Sequence, residues 1–311
     1  MSQLPAGLPG RVDADSANHL ADMHNLPPVR DDSYASIRSS SNAPTAVGPI
    51  ALDRMRSLLT ARELDTLKSV DRFRYLSASQ IEALHFTGHA SGETGARIRR
   101  RVLERLTSAG MLVRLDRPIG GVRAGSGGFV YRLGPLGYRI VRDHASMSGR
   151  SKEPSATFLD HTLAVAQLAI DVMRAGSVDG SGVEVLKVEA EPDCWRSFQK
   201  GLGGRETLKP DLLLALGQGE YEDRWFCEID RGTESTTAVA RKCQTYLAYW
   251  RTGIEQQRHD VFPRVLWIVP NERRRTLLAT TLRKTRDLNA SELFMVTTVA
   301  DALQTLIGGD S

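Results

Sequence analysis

Apolar residues recur at helical spacing in three segments between residues 60 and 109. In the first segment, the apolar positions are Leu64, Leu67, Val70 and Phe73. Thr60 and Glu63 have the spacing of a capping box, in which each side chain accepts a hydrogen bond from the other residue's backbone N–H. Two further helices are predicted over residues 77–86 and 94–109, and Gly110 is suited to end the last of them.

The pattern changes from helix to strand after Gly110. Residues 111–118 and 129–141 read as two strands with a short closing segment, joined by the glycine-rich turn IGGVRAGSGG. Three helices followed by a β-hairpin is the order of elements in a winged helix-turn-helix domain. In such a domain the third helix meets the major groove of DNA and the hairpin reaches along the backbone. The pattern therefore predicts a DNA-binding unit.

The second half of the chain alternates between helix and strand patterns. The order is α, β, β, β, α, β, α, β, α, over residues 158–174, 183–190, 210–216, 224–230, 236–250, 264–270, 271–286, 293–299 and 300–306. The short connection at 216–224 requires antiparallel pairing, while the later helical crossovers allow parallel strands. We therefore predict an α/β domain with a mixed sheet, and we expect residues 191–209 to be irregular.

Two segments lack any helical or strand periodicity. Residues 1–50 are rich in Pro, Gly, Ser and Ala and are predicted to form a disordered tail, because they hold too little apolar surface to bury. Residues 146–157 are polar with Gly and Pro, and they are predicted to be a linker. The expected organisation is a tail (1–50), a winged helix domain (51–145), a linker (146–157) and a second domain (158–311).

Charge is distributed unevenly along the chain. Residues 51–150 contain 18 Lys and Arg against 9 Asp and Glu, whereas the whole chain has a net charge of only +4. A basic module of this kind is expected to bind a polyanion, and its order of elements favours double-stranded DNA. The alternative is an arginine-rich helix face that is simply solvated. The predicted DNA-binding residues are Arg97, Arg99, Arg100, Arg101, Arg105, Arg114, Arg117 and Arg123.

Cysteine content and hydropathy indicate the compartment. The three cysteines include no CxxC pair, which favours neither a disulfide framework nor a structural zinc site. No apolar run approaches the roughly 20 residues that cross a bilayer, and no basic start precedes an apolar core as in a secretion signal. A cytoplasmic protein without a membrane partner is therefore expected.

Two acids lie close together in the stretch FCEIDRGTES, residues 226–235. Side chains alternate along a strand, so Glu228 and Asp230 share one face of it. Asp211 begins the preceding strand, and antiparallel pairing would bring it close to them. Three carboxylates at one end of a sheet suit Mg²⁺, which prefers oxygen ligands. The alternative is a set of solvated strand ends.

The order of elements and the spacing of these acids resemble the restriction-endonuclease-like PD-(D/E)xK superfamily. The matching features are Pro210-Asp211 and the 17 positions from Asp211 to Glu228. The resemblance implies that Asp211 and Glu228 bind the metal and that a lysine helps to activate the attacking water. Asp230 occupies the usual lysine position, so Lys242 on the following helix is the candidate, with Arg231 as a second.

The whole set of motifs is similar to the replication-relaxation family of bacterial plasmids and integrative elements. The matching stretches, within residues 55–270, are FRYLSASQI, DHTLAVAQL, KPDLLLAL, EIDRGTES and KCQTYLAYW. The resemblance implies a DNA-binding protein that acts in replication, relaxation or mobilisation, either as a Mg²⁺-dependent deoxyribonuclease or as an inactive nuclease-fold regulator or accessory factor. The partners that it implies are double-stranded DNA, a relaxase or replication initiator, and a second copy in a homodimer.

Overall fold

A computed structural model describes residues 11–13, 48–87, 92–115, 128–142, 153–201, 203–285 and 292–308. The chain divides into two compact units. One is Leu20–Leu163, and the other combines Met1–His19 with Ala164–Ser311. The division falls inside a single long helix, Ala156–Gly176. The second unit resumes at Ala164, six residues after residue 158, where the sequence predicted the start of the second domain.

The unit Leu20–Leu163 contains, among its described residues, five complete helices, the first eight residues of a sixth and three short strands. The helices are α1 (Pro49–Ser57), α2 (Ala61–Phe73), α3 (Ala78–His85), α4 (Gly92–Ser108) and α5 (Pro135–Val141). The strands are β2 (Leu76–Ser77), β3 (Leu112–Arg114) and β4 (Val130–Leu133), and they form an antiparallel sheet in the order β2-β4-β3. Helices α2, α3 and α4 match the three predicted from apolar spacing, whereas α1 and α5 were not predicted.

Local capping explains where α2 and α3 begin. The Thr60 side chain accepts from the Glu63 backbone N–H, and the Glu63 carboxylate accepts from the Thr60 N–H at 3.0 Å, so the predicted capping box is confirmed. Ser77 and Gln80 form a second capping box at the start of α3. Both helices then bury their apolar faces through residues such as Leu67, which is fully buried.

The other unit is built around a mixed sheet. Its strands are β1 (Arg11–Asp13), β5 (Val183–Ala190), β8 (Leu212–Gln218), β9 (Tyr221–Ile229), β10 (Arg264–Val269) and β11 (Phe294–Thr298). The order is β11-β10-β9-β8-β5, with β1 pairing antiparallel to the start of β9. Strands β5, β8 and β9 are antiparallel neighbours, whereas β9, β10 and β11 run parallel. The predicted mixed sheet is confirmed, and β1 lies within the predicted tail.

The helices of this unit cover the sheet and follow the expected order. They are α6 (Ala156–Gly176), whose first eight residues fall in the other unit, α7 (Thr236–Trp250), α8 (Ile254–His259), α9 (Glu272–Lys284) and α10 (Ala302–Ile307). One apolar cluster of this unit includes Phe226, Tyr246 and Trp267, all at most 1% exposed. None of the described helices has the length and hydropathy needed to cross a membrane.

Residues 191–209, expected to be irregular, contain a β-hairpin. Strands β6 (Arg196–Lys200) and β7 (Gly204–Leu208) pair antiparallel as a separate two-stranded sheet. The sequence expectation was wrong here because each strand has only five residues and only Phe198 and Leu208 are buried. Two buried apolar positions in separate strands give too weak an alternation to recognise.

Candidate functional site

Antiparallel pairing brings Asp211 opposite Glu228. Leu212 pairs with Cys227, so the residue before Leu212 lies beside the residue after Cys227. Directly opposite residues share a face of the sheet. The Asp211 carboxylate also accepts a hydrogen bond from the Ile229 N–H at 2.8 Å, which holds it against the end of β9. The expected proximity of these two acids is therefore present.

Helix α7 supplies two side chains to Glu228. Lys242 Nζ donates to Glu228 Oε2, and Tyr246 Oη donates to Glu228 Oε1 at 2.5 Å. Lys242 and Tyr246 are four residues apart and therefore lie on one helical face. The Ser235 side chain caps the helix by accepting from the Ala238 N–H, which fixes where this face begins. The lysine predicted from α7 thus contacts the predicted metal-binding glutamate.

Burial and charge shift the pKa values of this cluster. Glu228 is 1% exposed, and burial together with nearby Asp211 raises the pKa of its carboxyl to about 8, although Lys242 opposes the shift. Burial alone would lower the pKa of Lys242, but the two carboxylates outweigh it and raise that pKa. The cluster therefore contains two carboxyl groups and one ammonium group. When the Glu228 carboxyl is protonated, the negative charge of Asp211 is balanced by the positive charge of Lys242.

Asp230 contacts a different element from the other two acids. Its Oδ2 accepts from Arg274 Nε at 2.5 Å, and its Oδ1 accepts from the Gly232 N–H at 2.7 Å. Arg274 also donates to the Glu234 carbonyl oxygen at 2.6 Å. Both carboxylate oxygens of Asp230 are thus engaged in holding the β9–α7 loop against α9. Asp230 is therefore held by Arg274 of α9, whereas Glu228 is the acid that lies opposite Asp211.

The remaining predicted site residue is Arg231, which directly follows Asp230 in the β9–α7 loop. It is exposed, and within the described part of the chain it makes no hydrogen bond or ion pair. The structure thus brings Asp211, Glu228 and Lys242 together but does not add Arg231. Sequence reasoning missed Arg274, which is one of three consecutive arginines with no pattern to single it out. Tyr246 gave no signal either, because a tyrosine on a buried helix face has the same pattern as a core residue.

A cysteine supports the position of Asp211. Cys194 is fully buried, and its Sγ donates to the Pro210 carbonyl oxygen at 3.0 Å. Burial raises the pKa of this thiol, so it remains protonated and can donate. Among the described residues, no group of three or more His, Cys, Asp or Glu side chains is arranged to hold a metal ion. The three-carboxylate site expected from the sequence is therefore not formed by the described residues.

The predicted DNA-binding arginines differ in what they contact. Arg99 pairs with Glu82, and Arg105 pairs with Glu63, so both also hold α4 to its neighbours. The Arg114 guanidinium lies over the Phe129 ring at 4.2 Å. The exposed arginines on α4 without an ion pair in the described residues are Arg97, Arg100 and Arg101. Arg117 and Arg123 lie outside the described residues.

The fold and the site define a mixed α/β protein with a buried carboxylate–lysine cluster where β8 begins and β9 ends. The sequence model of the replication-relaxation family matches residues 67–265, and the chain belongs to that family. Membership supports a role in the replication or relaxation of plasmids and other mobile elements. Comparisons with curated proteins and with solved structures gave no match.

Proposed function

We propose that this protein binds double-stranded DNA of a mobile genetic element and hydrolyses its phosphodiester bonds with Mg²⁺ during replication, relaxation or mobilisation. The observation that carries the proposal is the contact between Lys242 and Glu228 beside Asp211. Two acids and a lysine at the end of a central antiparallel strand pair are the parts that a restriction-endonuclease-like site requires. The lysine comes from α7 instead of the strand.

The donor set fits Mg²⁺. This ion keeps several of its waters and is often held by only one or two carboxylates together with substrate phosphates. Asp211 and Glu228, which lie opposite each other where β8 begins and β9 ends, provide these carboxylates. A bound Mg²⁺ would supply an activated water and stabilise negative charge on the phosphoryl group.

The protein's own residues then have separate roles. Asp211 and Glu228 would position the ion, and the Asp211 contact with the Ile229 N–H keeps its carboxylate at the end of β9. Tyr246 orients Glu228 by donating to one of its oxygens. Lys242 places an ammonium group beside the carboxylates, where it can donate to a phosphate oxygen or to the attacking water.

The order of α2, α3, α4, β3 and β4 supports DNA binding by the other unit as a winged helix. In this proposal Arg97, Arg100 and Arg101 of α4 contact DNA, because they are exposed and have no acidic partner in the described residues. The excess positive charge of residues 51–150 would provide sequence-independent affinity. A relaxase or replication initiator is the proposed protein partner, and a homodimer the proposed assembly.

A plasmid relaxation assay tests the catalytic proposal. Supercoiled DNA is incubated with Mg²⁺ and the wild type, Asp211→Asn, Glu228→Gln, Lys242→Gln, or Arg241→Gln as a control from the exposed side of the same helix. Nicked or linear product is expected from the wild type and the control. The Lys242 variant should be slower by about 100-fold or more, the usual contribution of a proton-transfer group. Mg²⁺ should also raise the Tm of the wild type but not of Asp211→Asn.

Equal cleavage by all five proteins, or cleavage by none, would contradict the nuclease. The second candidate function, an inactive nuclease-fold regulator or accessory factor, is favoured by one observation. The position where the superfamily has its lysine is occupied by Asp230, which is held by Arg274. This alternative predicts DNA binding by the full chain with no hydrolysis under any metal condition.

A further inference from the structure

The β6–β7 hairpin has two different faces. Residues directly opposite each other share a face, and the register pairs Phe198 with Glu206 and Gln199 with Arg205. The inner face consists of Arg196, Phe198, Lys200, Glu206 and Leu208. The outer face consists of Ser197, Gln199, Arg205 and Thr207.

The inner face fixes the hairpin to its own unit. Phe198 and Leu208 are at most 4% exposed and belong to the core cluster that includes Tyr249. Arg196 donates to Glu189 and to Glu255, both at 3.0 Å. The hairpin is therefore anchored at its base by apolar packing and by ion pairs, so its outer face has a defined orientation.

The outer face contains only polar hydrogen-bonding side chains. Ser197, Gln199 and Arg205 are exposed and Thr207 is partly exposed, and the two hydroxyls hydrogen-bond each other at 2.9 Å. The side chains of Arg205 and Gln199 make no hydrogen bond or ion pair within the described residues. The single acid of the hairpin, Glu206, is on the inner face, where it pairs with Lys200 at 2.8 Å. No carboxylate on this face would repel an anion.

These properties fit the major groove of duplex DNA. The groove is about 12 Å wide and admits a two-stranded β-ribbon, whose strands are about 4.8 Å apart. Arginine reads guanine and glutamine reads adenine through paired hydrogen bonds, and serine and threonine bond either base. Lys200 and Lys209 are exposed at the tip and the base of the hairpin, where Lys200 pairs with Glu206 and the Lys209 ammonium lies over the Trp195 ring at 4.3 Å.

Other ligands fit this face less well. A protein partner would need apolar or aromatic side chains to form a desolvated interface centre, and the outer face has none. Single-stranded nucleic acid would need aromatic rings on which to stack its bases, and none of the four outer residues supplies one. The hairpin ends at Leu208, three residues before Asp211, so DNA bound there would lie close to the carboxylate cluster.

We infer that the outer face of the β6–β7 hairpin reads base edges in the major groove of duplex DNA and gives the protein its sequence preference. Gln199 and Arg205 form the base-reading pair, and Ser197 and Thr207 lie beside them on the same face. The inference rests on the proposed function in that its ligand is DNA. It assigns specificity to a different surface from the arginines of α4.

Selection from a library of random duplexes by the full-length chain tests this inference. The wild type should enrich a short motif. The variant Gln199→Ala/Arg205→Ala should lose at least about tenfold of the preference for that motif over random duplex, because two base-reading side chains are removed. Its affinity for random duplex at low salt should change by less than about threefold. The matched control, Arg283→Ala/Gln304→Ala, removes the same two exposed side-chain types from α9 and α10 and should behave as the wild type.

Two results would overturn the inference while leaving the proposed function intact. One is a hairpin variant that selects the wild-type motif with unchanged preference. The other is a wild type that binds duplex DNA but enriches no motif. A chain that binds no DNA would contradict both proposals. Thermal unfolding of each variant checks that it is folded. Methylation of guanine N7 blocks contacts to that atom in the major groove, and it should abolish the motif preference of the wild type.

Discussion

Glu228 accepts hydrogen bonds from Lys242 and Tyr246 although it is almost completely buried. A buried carboxyl that remains protonated near neutral pH is the usual response to burial when compensating charge is incomplete. The sequence identified Glu228, Asp211 and Lys242 because each had a position in a known motif. It could not show that Tyr246 completes this set, because a tyrosine on an apolar helix face gives the same pattern as a core residue.

The raised pKa of Glu228 predicts a pH-dependent stability. The pKa of the Glu228 carboxyl is about 8 in the folded chain and about 4.5 when unperturbed. The folded state therefore binds this proton more tightly than the unfolded state. The resulting contribution to the free energy of unfolding is fully present below pH 4.5 and is lost as the pH rises to 8. Relative to Glu228→Gln, which cannot ionise, the free energy of unfolding of the wild type should fall by up to about 1.4 kcal/mol per pH unit in this window. Denaturant unfolding of both proteins from pH 4 to 9 without divalent cations measures this. Parallel profiles would show that Glu228 is not perturbed.

At the scale of elements, α7 and the loop before it organise the site. The sequence predicted α7 with the bounds that the structure has, because its apolar spacing and N-terminal cap agree. The contact of this loop with α9 could not be predicted, since Asp230 and Arg274 are 44 residues apart. The β6–β7 hairpin was missed for a related reason: its apolar positions are meaningful only once the core against which they pack is known.

The Asp230–Arg274 pair predicts a large difference between adjacent arginines. The Asp230 side chain is fully buried and Arg274 is 12% exposed, whereas Arg275 and its partner Glu272 are about half exposed, at 49% and 61%. Arg274→Ala leaves a buried carboxylate without its partner and should lower the free energy of unfolding by about 3–5 kcal/mol. Arg275→Ala removes only a surface pair and should cost no more than about 1 kcal/mol.

Chemical denaturation of both variants measures the difference. If Arg274→Ala were as stable as Arg275→Ala, Asp230 would not depend on this arginine. Asp230 would then be available to act with Asp211 and Glu228, as the sequence predicted. The double variant Asp230→Asn/Arg274→Ala provides a further check, because removing both charges should recover part of the missing stability.

At the scale of the whole molecule, basic and acidic side chains are distributed unevenly along the chain. Residues 51–150 carry the positive excess, whereas residues 151–311 have 20 basic against 23 acidic side chains. Such a distribution was visible from composition alone, and it is the basis for proposing that the first of these segments provides sequence-independent DNA affinity. The structure refines this assignment, because Arg99 and Arg105 are partly engaged by Glu82 and Glu63 while other arginines of α4 are not.

The salt dependence of DNA binding tests this division. The variant Arg97→Gln/Arg100→Gln/Arg101→Gln should reduce the slope of log K against log salt by up to about 3, roughly one for each phosphate that is no longer neutralised. A control with the same charge change, Arg251→Gln/Arg258→Gln/Arg283→Gln, alters exposed arginines of the other unit and should leave the slope near the wild-type value. Titrations of a fluorescent duplex at several salt concentrations give both slopes. Equal slopes for the two variants would refute the assignment.

The sequence by itself determined the helices with strong apolar spacing, the mixed sheet, the family, and the acids and lysine of the candidate site. These follow from local periodicity and from short motifs, which do not depend on distant contacts. Only the tertiary structure decided that Lys242 reaches Glu228, that Asp230 is held by Arg274, and that β6 and β7 pair as an anchored hairpin with a polar outer face. Each of these depends on residues far apart in sequence being packed together, and packing is what sets burial, ion pairing and pKa.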